Sequence, residues 1–207
     1  MLVIVDYGVG NLGSLLNMCK YLGIDAVVSK NENVISQASH LILPGVGAFD
    51  HGMKCLKESG LLDILNRCVL VNKMPVLGIC LGMQLMALKS DEGKEEGLGW
   101  INASVSRIPG SEKLKVPHMG WSRPKIVRNS LLFSENEEES RYYFVHSYCV
   151  SCHDKKDTVA TVEYGVEFDV AFEKNNIFGV QFHPEKSHHF GMEIISNFAK
   201  YKNKVCS

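Results

Sequence analysis

Leu2-Val-Ile-Val-Asp6, followed by Tyr7-Gly-Val-Gly-Asn11-Leu-Gly13, is the stretch whose reading decides the fold. Four apolar residues in a row, closed by an acid, read as a strand covered on both faces. The Gly-rich turn leads into Leu12, Leu15, Leu16 and Cys19, which are spaced as one face of a helix. Gly23, just after Leu22, can end that helix in a left-handed conformation. The alternation continues outward. Ala26-Val-Val28 and His40-Leu-Ile-Leu43 are strands, and Pro44-Gly-Val-Gly47 turns the chain into a helical stretch around Met53 to Leu56. Pro75-Val-Leu-Gly-Ile79 is another buried strand, followed by a helix predicted over Gly82 to Leu88. Repeated β-α-β units imply parallel strands with their C-terminal ends on one edge, where open sheets of this kind bind ligands.

The second half changes character. Glu92 to Glu96 is polar and reads as a loop. Ala103–Arg107, Tyr142–Ser147, Thr158–Glu163, Asp169–Glu173 and Ile177–Phe182 are short alternating runs, joined by polar turns such as Glu173-Lys-Asn-Asn176. A last helix is predicted over Phe190 to Tyr201. The charge run Glu135 to Glu139 reads as a solvated loop. The expected fold is therefore α/β: a mostly parallel central sheet flanked by helices, with an added antiparallel strand region, in a single domain over residues 1–207.

Composition narrows the function. Of 207 residues, 22 are Lys or Arg and 23 are Asp or Glu, a net charge of −1, so no global basic field announces nucleic acid or an anionic membrane. No window approaches the roughly 20 apolar residues of a spanning helix, and Leu2–Val5 is too short for a signal-peptide core. A cytoplasmic protein is expected. Seven cysteines, an odd number in a chain of this size, argue against a disulfide framework. Cys149-Val-Ser-Cys152 has the spacing of a zinc or redox pair but no second pair to complete a site, so no metal or cofactor is expected.

Two segments carry chemistry. In Gly78-Ile-Cys80-Leu-Gly82-Met-Gln84 a strand must turn sharply into a helix with Cys80 at the apex, as in a nucleophile elbow with Cys in place of Ser. Side chains two residues either side of such an apex would collide, hence the two glycines. The following helix N-terminus favours a thiolate. In Gly179-Val-Gln-Phe-His183-Pro-Glu185 a histidine follows an apolar strand, with an acid two residues on. A thiol nucleophile needs a base, and the base needs an acceptor on its other nitrogen to fix its tautomer. Cys80, His183 and Glu185 supply one of each.

With both motifs in view, the chain resembles the class I (triad) glutamine amidotransferases, whose elbow reads G-x-C-x-G-x-Q and whose base segment reads G-x-Q-F-H-P-E. The resemblance implies a flavodoxin-like sheet, attack of Cys80 on the side-chain amide of glutamine, proton transfer by His183 oriented by Glu185, and hydrolysis of a glutamyl thioester. It also implies oxyanion donors at Leu81 and Val46, flanked by Gly45 and Gly47, and substrate contacts from Gln84, Glu92 and the segment His146-Ser147-Tyr148. His146 is the weaker candidate base, because no acid is spaced to orient it.

Val5-Asp-Tyr-Gly-Val-Gly-Asn11-Leu, Pro44-Gly-Val-Gly-Ala-Phe49, Val116-Pro-His-Met-Gly-Trp121 and Tyr143-Phe-Val-His-Ser-Tyr148 narrow the resemblance to glutaminase subunits of imidazole glycerol phosphate synthases. Those subunits form a heterodimer with a (β/α)8-barrel cyclase that receives the ammonia in histidine synthesis. By that resemblance Pro117, His118, Met119, Trp121 and Lys186 lie at the interface. Ser122 stands where the family usually has Asn, and two alternatives stay open. One is a paralogous glutaminase supplying ammonia for surface-sugar amidotransfer; the other is a stand-alone γ-glutamyl cysteine hydrolase.

Overall fold

The computed structural model describes residues 1–110, 114–133 and 140–202; the predicted loop at Glu135 to Glu139 lies outside them. Strand β1 (Leu2–Val5) is followed by α1 (Leu12–Tyr21), β2 (Ala26–Ser29), α2 (Glu32–Ser36), β3 (His40–Leu43), α3 (Phe49–Glu58) and α4 (Leu62–Asn66). Next come β4 (Val76–Ile79), α5 (Leu81–Leu85), β5 (Lys89–Ser90), β6 (Ala103–Arg107), β7 (His118–Ser122) and β8 (Lys125–Ile126). The chain continues through β9 (Tyr142–His146), β10 (Tyr148–Cys152), β11 (Thr158–Tyr164), β12 (Val166–Lys174) and β13 (Ile177–Val180) to α6 (His188–Lys200).

The main sheet runs β2-β1-β3-β4-β13-β12-β10-β6-β5, with β11 and β8 branching from β12. From β2 to β13 the neighbours are parallel, and from β13 to β6 they are antiparallel. This is the predicted division of the fold. A separate antiparallel ribbon pairs β7 with β9. Strand alternation then builds two cores. Val3, Val5, Leu41, Leu43 and Val76 face one side of the sheet, while Leu2, Ile4, Ile42, Leu77 and Ile79 face the other. Helix α1 covers the second side with Leu15 and Cys19, almost fully buried; a leucine so placed contributes about 2 kcal/mol by burial. The helix ends as its sequence indicates. Gly23 has φ +69°, its N–H bonds to Lys20 O, and Ile24 N–H bonds to Cys19 O, which satisfies two carbonyls that the helix leaves free.

Two sequence readings need correction. The helix predicted over Gly82 to Leu88 stops at Leu85, because the next residues are drawn into pairing with the sheet: Leu88 N–H bonds Ala103 O, and Gly97 N–H bonds Leu88 O. The run 118–122 is a strand where sequence periodicity marked none. Cys149 and Cys152 lie three apart on β10 and so point to opposite faces, one into each core. They cannot hold one ion together. Burial pushes their thiols up to about 11 and about 12. Among the described residues no cluster of three or more His, Cys, Asp or Glu could hold a metal, and no helix is long and apolar enough to cross a membrane.

Candidate active site

Strands β3, β4 and β13 are adjacent and parallel, so the segments leaving their C-terminal ends converge on one edge of the sheet. The Pro44–Gly47 turn leaves β3, Cys80 leaves β4, and Gln181 to His183 leave β13.

Cys80 sits at φ +53°, ψ −110°, a backbone state that costs a residue with a side chain about 1–3 kcal/mol. The surroundings impose it. Cys80 N–H is tied to Val180 O at 2.8 Å, while its carbonyl accepts from Gln84 N–H at 3.2 Å. A Cβ on Gly82 would lie 1.9 Å from Leu43 O, and one on Gly78 2.8 Å from Gly82 O and the Met83 backbone. The glycines are thus demanded by close approach, as the motif requires. Gly45 belongs to the same packing: its Cβ would meet Gly82 N at 2.7 Å. It is buried behind the turn and does not line the cavity, which corrects its reading as a substrate contact. Helix α5 has only five residues, so it contributes little macrodipole at Cys80. What it does contribute is the N–H of its first residue, Leu81, which has no intrahelical acceptor.

The side chains of His183 and Glu185 are each 2% exposed, with Nδ1 2.9 Å from Glu185 Oε1. Nε2 is buried and closes no hydrogen bond of good geometry, although the Cys80 sulfur is near enough to act on the ring. Burial opposes the imidazolium, but the Cys80 sulfur and the Glu185 carboxylate outweigh it and raise His183 to about 10. The ring is braced from behind. His183 N–H bonds Tyr143 O at 2.9 Å, and Ser187 Oγ donates to His183 O at 2.7 Å while accepting from Tyr143 N–H at 3.0 Å.

A cavity of about 350 Å³ opens over the sulfur, bounded by Val46, Gly47, Cys80, Leu81, Gln84, Glu92, Pro117, Val145, His146, Ser147, Tyr148 and His183. All but Val145 and Pro117 were singled out by sequence as catalytic, oxyanion or substrate residues. Glu92 is fixed by accepting from Phe49 N–H at 2.9 Å. Helix α3 begins after Ala48, which offers no side-chain cap, so an acid 43 residues away takes over that role. Next to it Asp50 accepts from the N–H groups of Lys94 and Glu95, whose bonds hold its carboxyl below the usual range and pin the loop. Both nitrogens of His146 are occupied, Nδ1 by Tyr148 O at 2.8 Å and Nε2 by His118 Nδ1 at 3.0 Å. No lone pair is left to serve as a second base.

Sequence reasoning missed Gln181, which lies inside the base motif without a role. It is fully buried, and its Nε2 donates to Cys80 Sγ at 3.7 Å while Oε1 accepts from Gln84 Nε2 at 3.0 Å. Its position one residue beyond β13 was the available signal.

Of the residues assigned to docking, Met119 and Trp121 are 61% and 43% exposed. Trp121 stacks on His188 at 5.3 Å with Arg141 above its ring, and Lys186 sits over Tyr143. His118 is a correction. Alternation along β7 turns it inward to 2% exposure while its neighbours face out.

The family model for class I glutamine amidotransferases matches residues 3–201. Over 200 residues the chain is 53% identical to "Imidazole glycerol phosphate synthase subunit HisH 2" of Methanococcus maripaludis, covering 97% of this chain and 99% of that one. It is 47% identical to "Imidazole glycerol phosphate synthase subunit HisH" of Bdellovibrio bacteriovorus, covering 97% and 100%. A glutamine amidotransferase of Thermotoga maritima shares the fold at TM-score 0.66 and 21% identity, over 95% of this chain and 81% of that one. So does the glutaminase domain of Trypanosoma brucei CTPS, at TM-score 0.66 and 16% identity over 97% and 94%. With a strained cysteine, a buried His–Glu pair and this kinship along nearly its whole length, the chain belongs to the class I glutamine amidotransferases.

Proposed function

We propose that the chain is the glutaminase subunit of an imidazole glycerol phosphate synthase, hydrolysing glutamine to glutamate and supplying ammonia for histidine biosynthesis. The observation that carries the chemistry is the buried His183–Glu185 pair beside the Cys80 sulfur, at the floor of a cavity of amino-acid size. With its proton affinity raised to about 10, His183 can take the thiol proton as the Cys80 sulfur engages the substrate. The thiolate attacks the glutamine side-chain carbonyl. Negative charge moves to the oxygen, where the Leu81 and Val46 N–H groups stabilise it; one such donor contributes about 3–4 kcal/mol in other hydrolases. The imidazolium then gives its proton to the departing nitrogen, releasing NH3 and leaving a thioester and neutral imidazole. The imidazole takes a proton from water, hydroxide adds to the thioester, and collapse expels the thiolate with glutamate. Glu185 keeps the ring oriented throughout, Gln181 donates toward the sulfur, and Glu92 receives the substrate ammonium.

The ammonia acceptor in this reading is a (β/α)8-barrel cyclase bound as a heterodimer. Pro117, Met119, Trp121 and Lys186 would form the docking face, where a half-exposed tryptophan stacked under an arginine suits an anchor. The test uses the assembled pair. Cys80→Ala should abolish glutamine-driven synthesis and spare synthesis from free ammonium salts, whereas loss of both would make Cys80 structural. The gene should also restore growth of a histidine auxotroph lacking its own glutaminase subunit. Ammonia release without such rescue would assign the subunit to another amidotransfer.

A further inference from the structure

Two buried histidines, His146 in the cavity wall and His118 behind it, carry no step of that chemistry, and their proton positions can be worked out from one carbonyl. Tyr148 O accepts from His146 Nδ1 at 2.8 Å and from Gln84 Nε2 at 2.9 Å. A carbonyl has no proton to give, so His146 must carry its proton on Nδ1, which leaves a lone pair on Nε2. His118 Nδ1 faces that lone pair at 3.0 Å and must donate. Its own Nε2 then accepts, and the Ser122 hydroxyl 2.8 Å away donates to it. The chain of donors therefore runs one way, from Ser122 through His118 and His146 to Tyr148. The same carbonyl fixes the amides on its other side. Gln84 must present nitrogen to it, so Gln181 Oε1 faces Gln84 and Gln181 Nε2 faces the Cys80 sulfur.

We propose that His118 is a positioning residue for the glutamine pocket: it donates to His146 and so holds the tautomer that fixes the Tyr148 carbonyl and, through it, Gln84. The proposal rests on the reading of the cavity as a glutamine site. The geometry leaves little freedom. His118 is packed between Phe144, at 4.8 Å and 27° between ring planes, and Tyr164, at 4.2 Å and 33°. His118 and His146 are 2% and 5% exposed. A doubly protonated His146 would reverse the chain, but burial keeps both rings neutral, pushing each down to about 4.

The experiment compares His118→Phe, which keeps the ring stacking without donor or acceptor, with His118→Asn, whose amide nitrogen can take the place of Nδ1. Saturation of Cys80 alkylation by the glutamine analogue 6-diazo-5-oxo-norleucine separates pocket affinity from nucleophile reactivity without any partner. His118→Phe should raise the half-saturating concentration about tenfold, the scale of one buried hydrogen bond, with the maximal rate changed less than about threefold. His118→Asn should restore most of that affinity. In 15N-histidine spectra the wild-type His146 should be the Nδ1–H tautomer, and the Phe variant should lose that uniformity. A folded Phe variant with unchanged half-saturation, or a wild-type His146 protonated on Nε2, would overturn the proposal. If the wild-type chain is not alkylated at all, the glutaminase reading fails instead, and the spectra still decide whether His118 sets the His146 proton.

Discussion

The turn after β4 and the strand β7 both build the site, and they use opposite means. Around Cys80 the backbone is crowded: it is strained, two glycines leave no room for a methyl group, and the first residues of α5 are buried. Strand β7 is a plain extended segment with two faces. His118 looks inward onto His146 in the cavity wall, while Met119 and Trp121 look outward. The crowded turn does one task with several residues, and the open strand does two tasks by parity alone. Strain therefore marks where a nucleophile must be held, and alternation marks where an inner site and an outer surface can share one strand.

Substitutions can break this contrast in a graded way. The largest expected effect is at the catalytic pair. Glu185→Gln preserves shape but replaces the carboxylate by an amide whose NH2 can donate to Nδ1 and select the wrong His183 tautomer, and glutaminase turnover of the assembled pair should fall about 10³–10⁴-fold. Next is Gly82→Ala. Its methyl group would sit 1.9 Å from Leu43 O, a rigid backbone atom, so urea unfolding should show a loss of about 3 kcal/mol. A variant with wild-type stability would show that the elbow is looser than the packing implies. On β7, Trp121→Ala should weaken barrel binding by about 2 kcal/mol, roughly 30-fold in Kd by titration, with the unfolding midpoint nearly unchanged. An unfolded Trp121→Ala would make the outward face part of the core.

A separate effect concerns pH. Because His183 is raised in the folded state, its contribution to stability is fully present below its unfolded value of about 6.5 and is lost as pH rises through about 10. The urea midpoint of the wild type should therefore fall between those limits, and that of Glu185→Gln should fall less. Equal slopes would remove the ion pair from the account of the resting enzyme.

Legibility in the sequence divides along the same line. Cys80, His183 and Glu185 could be read from sequence, because a tight turn and a paired imidazole dictate residue types within a few positions. The parallel strands were legible too, since burial on both faces requires unbroken apolar runs. Strand β7 was not. Pro117, Gly120 and the mixture of His, Met and Trp hide its period of two, and only the family resemblance groups His118 with the outer face. Sequence makes helix α5 too long because its apolar continuation, Met86 and Ala87, is buried while its carbonyls accept from Ile101 and Gly99 N–H and not from a next helical turn. Gln181 shows no role within its own motif, because its partners Gln84 and Cys80 lie about 100 residues away.

Local rules determined which residues could turn, which could be buried and which could do chemistry, since those limits act over one to four positions along the chain. Only the folded arrangement decided what faced what. The Tyr148 carbonyl orients two amides and two imidazoles, Glu92 caps a distant helix, and His118 points inward while its neighbours point out. Hydrogen-bond direction depends on the partner across space, and no pattern along a single strand contains that partner.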